Sequence, residues 1–121
     1  MSAPAKNPAS NSPNPPANPH RGEIALLLDG VAHVLRPTFA ALVAVEEEVG
    51  PLLAMVERAS GGELKLGEMV ALFWHCLRDA SDAAREAADR EAFAEAVTRA
   101  GLAACAQPLR ALLVQVLKGV L

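Results

Sequence analysis

Apolar and polar positions change their spacing twice along this chain, and each change marks an element. From Glu23 to Arg36 they alternate around Asp29-Gly30. Ile24, Leu26 and Leu28 fall on one face. Across the turn, Val31, His33 and Leu35 form one set, and Ala32 and Val34 the other. Asp-Gly accepts the two positive φ angles of a type I′ turn, so the segment predicts a β-hairpin with strands Glu23–Leu28 and Val31–Arg36. A hairpin of this size is marginal by itself, so it must pack on helices or pair with another chain.

Beyond Pro37 the spacing becomes helical. Thr38 is placed to cap a helix over Phe39–Val49, with Leu42, Val45 and Val49 on one side. Gly50-Pro51 breaks it, and Pro51 opens a short helix holding Leu52, Leu53 and Val56 that stops at Ser60-Gly61-Gly62. A third helix spans Leu66–Asp79. Leu66, Met69, Val70, Phe73 and Leu77 make its stripe, Trp74 and Cys76 its edges, and Leu72 lies further round. His75 projects from the other side, near Glu68 and Asp79. An arc this wide needs cover on two sides, or contact with another chain. Asp79–Arg90 is Ala-rich and charged, and reads as helix or link. Glu91–Arg99 is a helix with Phe93, Ala96 and Val97 inward and Gly101 as its stop. The last helix is expected to begin near Pro108, with Leu109, Leu112, Leu113, Val116 and Leu117 inward, and to end at Gly119. Val120 and Leu121 form an apolar tip. The fold class expected is mainly α with a small N-terminal β-hairpin (α+β), a small helical bundle packed on or beside the hairpin.

Composition refines this layout. Residues 1–19 are Pro, Asn, Ser and Ala with no apolar periodicity, so they are expected to form a disordered arm rather than a secretory signal. Residues 20–121 are expected to form one domain. The formal charge of −3 speaks against a nucleic-acid partner, which calls for a basic face. Three Phe, one Trp and no Tyr also supply few stacking platforms. The chain lacks an apolar run of the ~20 residues that a membrane span requires. Two cysteines, Cys76 and Cys105, fit a reducing compartment, and a cytoplasmic location is expected.

The residues that carry chemistry do not converge. His20, His33 and His75 lie on the arm, a strand and a helix, and no ligand set follows at helical spacing. A Cys76–His33 pair is explained more simply by two packed side chains. Gly61-Gly62 lacks the Lys and Ser/Thr of a phosphate loop. Glu46, Glu47 and Glu48 diverge around a helix and read as a solvated acidic face, with Glu46 placed to pair with Arg36. No catalytic residue, metal or cofactor is expected, and no enzyme. The residues expected to touch a partner are Leu72, Trp74, Val120 and Leu121, although Trp74 reads first as the edge of the core and only second as a partner contact.

The segment Asn18–Gly50 resembles the opening of the small tail-assembly proteins of gene transfer agents and related tailed phages. The matching residues are Arg21-Gly22-Glu23, Asp29-Gly30, Leu35-Arg36-Pro37-Thr38-Phe39, Glu46 to Glu48 and Gly50. A similar layout continues through Gly101-Leu102 to Gly119. That family is described both as tail tube protein and as tail assembly chaperone. The resemblance implies a chaperone that shields the tape-measure protein while tube subunits polymerise. Its partners would be the tape-measure protein and the tail tube protein, with a homo-oligomer also open, and no catalytic residues are implied. The alternatives are a structural component of the tail tube or a small helical interaction module.

Overall fold

The computed structural model describes residues 16–18, 22–77 and 87–118. The rest of the Pro/Asn arm, His20 and Arg21, Arg78 and Asp79 at the expected end of the third helix, the rest of the charged segment up to Glu86, the Gly119 stop and the Val120-Leu121 tip lie outside the described residues. Within them the order is β1 (Ile24–Leu28), β2 (Val31–Leu35), α1 (Phe39–Val49), α2 (Leu52–Ser60), α3 (Leu66–Cys76), α4 (Ala87–Ala100) and α5 (Leu102–Lys118). The expected class, mainly helical α+β with a hairpin near the N-terminus, is what the chain adopts.

The hairpin forms where the alternation placed it. β1 and β2 are antiparallel, with Leu28 opposite Val31, Leu26 opposite His33 and Ile24 opposite Leu35. Asp29 has φ 53° and Gly30 φ 79°, the pair of positive angles that closes a two-residue turn without splaying the strands. Each strand is one residue shorter than expected, because the end residues bond elsewhere. The Glu23 N–H donates to the Asn18 carbonyl at 3.1 Å, and the Arg36 N–H to the Cys76 carbonyl at 2.7 Å. On the inner face Leu26, Leu28 and Leu35 are almost completely covered. β1 packs against α4 and α5, so the hairpin finds its cover on helices of its own chain.

Helix ends follow local chemistry. The Ala41 N–H donates to Thr38 Oγ1 at 3.1 Å, so Thr38 caps α1 as expected. At the start of α3, Glu68 Oε1 accepts the Lys65 N–H at 3.0 Å, and Arg58 pairs with Glu68 Oε2, tying the end of α2 to α3. α3 stops at Cys76 rather than Asp79. Leu77 instead forms an antiparallel bridge to Leu35.

α5 departs most from expectation. It begins at Leu102, so Pro108 lies inside it. Ala103, Ala104, Ala106 and Gln107 all favour helix, and fully buried Cys105 anchors the first turns. Gly101, at φ 93°, lets one residue both end α4 and turn the axis by 111° into α5. No single helix among the described residues is long and apolar enough to cross a membrane.

The core gathers around α3. Met69 to Trp74 are six consecutive buried residues, more than the half-circumference the stripe predicted. α1 covers one side of α3 through Ala41 and Val45, and α4 covers another through Phe93 and Val97. Met55 of α2 and Leu112 of α5 complete the cluster.

Candidate partner-binding surface

A groove of about 310 Å³ lies between α2 and α5. Val56 and Ala59 form one wall, and Leu109, Leu113, Val114 and Leu117 the other. The α2 wall follows from helical spacing: Met55 points into the core, so Val56 and Ala59, at i+1 and i+4, flank it. On α5, Leu112 is fully buried and Leu113 is 8% exposed, whereas Leu117 is 57% exposed. The groove therefore opens toward the C-terminal end of α5. Ser60 and Arg110 are its polar lining residues. Among the described residues Arg110 reaches only Gln107 of its own helix, at 3.4 Å, which leaves its charge available to an acidic group.

Three helices are clasped beside the core by one carboxylate. Glu48, at the end of α1, accepts from His75 Nε2 of α3 at 2.9 Å, in the tautomer that carries the proton there. It also accepts both terminal nitrogens of Arg90 of α4, one of them at 2.9 Å. Arg90 hydrogen bonding, aided by His75, outweighs the desolvation of Glu48 and holds its carboxyl at about 2, against an ordinary 4.5. Because the folded value lies below the unfolded one, this contribution is complete above about pH 4.5 and is lost as pH falls through about 2. Solvent reaches the pair, so its worth is about 1 kcal/mol or less. Glu48→Gln should therefore lower stability to urea by that amount at pH 7. The gap to wild type should narrow between pH 4.5 and 2. A gap that is constant across this range would show that the carboxylate charge is not what counts.

The other sequence-predicted residues have definite places. Leu72 is fully covered and Trp74 is 8% exposed, so both are packed inside the chain rather than presented to a partner. Trp74 meets the Phe93 ring at 5.6 Å between centroids. His33 meets Phe93 edge-on at 6.0 Å, and burial pushes the His33 pKa down. The core thus accounts for Leu72 and Trp74, while Val120 and Leu121 lie outside the described residues. Cys76 and Cys105 are both buried, and burial pushes the Cys105 thiol up. His75 sits beside Glu48 rather than Glu68, which is engaged by Arg58 and Lys65. Glu46 caps α2 by accepting the Leu52 N–H at 3.0 Å, in place of the expected pairing with Arg36. Among the described residues no group of three or more His, Cys, Asp or Glu is arranged to hold a metal ion.

Two further surface features escaped the sequence reading. The α2–α5 groove depends on which helices become neighbours. Phe39, a large apolar residue, is 85% exposed. Its signal was its place: the first residue after a cap projects beyond the helices that cover α1.

Fold and surface together define a small, mainly helical protein with an apolar groove between two of its helices. The chain belongs to the family described as phage tail tube protein, GTA-gp10, whose model matches residues 21–119. This places it among the proteins of phage-like tails. No curated protein and no solved structure matches the chain.

Proposed function

We propose that this chain is a non-enzymatic assembly chaperone for a phage-like tail. It would hold an amphipathic helical segment of the tape-measure protein until tube subunits polymerise around it. The observation that carries this reading is the α2–α5 groove, with apolar walls and exposed Leu117 at its mouth. A helix binds such a groove through side chains at i, i+3, i+4 and i+7. Arg110 favours an acidic residue at the edge of that helix.

Co-expression with the tape-measure protein of the same gene cluster tests the proposal. The partner should become soluble and co-purify, and Leu117→Lys should abolish the complex while the circular dichroism of the chaperone stays helical. If the tape-measure protein is equally soluble alone and no complex is recovered, the reading fails.

The family's description favours a second reading, a structural subunit of the tube. Tube subunits bury long sheet edges between neighbours. The described residues offer one two-stranded sheet, which supports the chaperone reading instead. Recovery of this chain from purified particles in the amount of a repeating ring subunit would reverse that order.

A further inference from the structure

The hairpin has two long edges, and they differ. On the β2 side, Leu77 bridges to Leu35 and the Arg36 N–H reaches the Cys76 carbonyl. On the β1 side, the Glu23 N–H is taken by Asn18. Between Glu23 and the turn, two residues remain. Leu28 and Val31 close the two-residue turn, so they exchange hydrogen bonds, and by alternation Leu26–His33 and Ile24–Leu35 do the same. Ala25 and Leu27 therefore turn their N–H and C=O groups away from β2. Among the described residues none bonds to these groups. Both side chains are exposed, Leu27 to 62%.

This edge also lacks the devices that protect others. Ile24-Ala25-Leu26-Leu27-Leu28 has no charge, no Pro and no bulge. The nearest charged groups are already engaged: Asp29 by Arg99 at 2.8 Å, and Glu23 by the Asn18 N–H at 3.0 Å.

We infer that two copies of this chain pair edge to edge through antiparallel β1 strands, with the two-fold axis at Leu26. In that register Ala25 of each copy faces Leu27 of the other, as a hydrogen-bonded pair in both cases. All four outward N–H groups and carbonyls of the two residues, counted over both copies, are then satisfied. The hairpins become a four-stranded sheet. Its inner face keeps Leu26 and Leu28 on the helices, and its outer face places Leu27 beside the partner copy's Ala25. Shifting the axis by one residue in either direction leaves one of these pairs unmade or sends it to Glu23 or Asp29. Self-pairing is favoured because the edge is its own complement: uncharged, symmetric about Leu26, and open only there. The contact is smaller than the roughly 1,200 Å² at which standard interfaces begin, so it should be concentration-dependent in the isolated protein.

Sedimentation of the full chain, from micromolar to near-millimolar concentration, tests this. The weight-average mass should rise from 12.6 kDa toward twice that value. Leu27→Lys, at an exposed position, should hold it at one chain mass with an unchanged circular dichroism spectrum. The register has its own test. Ala25→Cys mixed with Leu27→Cys should form an intermolecular disulfide, since such a pair sits about 5.5 Å apart between Cα atoms. Either variant alone should cross-link far less. A chain that stays monomeric throughout overturns the inference. So does association indifferent to Leu27→Lys, or a mixture that cross-links no better than its components. Pairing of this edge only with a different tail protein also overturns it.

Discussion

Phe73→Ala should cost about 3–5 kcal/mol, the range for removing a buried aromatic from a packed core. Phe73 is fully covered and lies within the buried run of α3, which packs against α1 and α4. Domains of this size have roughly 5–15 kcal/mol in total, so the variant should be marginal at body temperature. Phe39 supplies the control from within the same chain. It is the same residue type but 85% exposed, so Phe39→Ala should change stability by less than about 0.5 kcal/mol. Urea titrations of both variants give the comparison. Equal losses would mean that the core is not centred on α3.

Pro108→Ala should act in the opposite direction. A proline in a helix interior costs about 3 kcal/mol, because it removes a backbone donor and crowds the preceding turn. Here the carbonyl left without its usual donor is that of Ala104, an exposed residue, so water can serve it. Replacing Pro also loosens the unfolded chain, which offsets about 0.4–1 kcal/mol. The net expectation is a gain of roughly 2 kcal/mol, seen as a higher urea midpoint with an unchanged slope. A loss instead would mean that the local geometry at Pro108 positions Leu109 and Leu113 against α2. In that case the partner binding proposed for the groove should weaken as well.

Features set by neighbours in the chain were legible in advance. The Asp29-Gly30 turn, the Thr38 cap and the Gly101 stop each depend on two or three adjacent residues, and each stands where the sequence put it. Pro108 misled because proline favours the first turn of a helix, and that local preference lost to burial of Cys105 one turn earlier. α3 misled at its end for a similar reason: Leu77 bridges to Leu35, far away in sequence.

The candidate surface was harder to read because its parts are distant. Glu48 meets residues 27 and 42 positions away, so a run of three glutamates read as solvated when one of them clasps three helices. Periodicity correctly made Leu113 and Leu109 inward-facing. It could not say that the same stripe continues past the edge of α2 and leaves Leu117 in the open. Leu72 and Trp74 were expected near a partner because the arc on α3 was wider than one neighbour could cover. The bundle instead covers α3 from several sides, which uses up both residues.

The placement of β1 against α5 has a consequence for synthesis on the ribosome. The hairpin closes locally, on a microsecond timescale. Yet the cover of Leu26 and Leu28 is complete only once α4 and α5 have both arrived, roughly 80 residues later, and at about 5–20 residues per second that interval lasts several seconds. During it the nascent chain carries a strand that is apolar on both faces and open at one edge. The order of elements in the gene therefore sets how long that strand stays uncovered during synthesis.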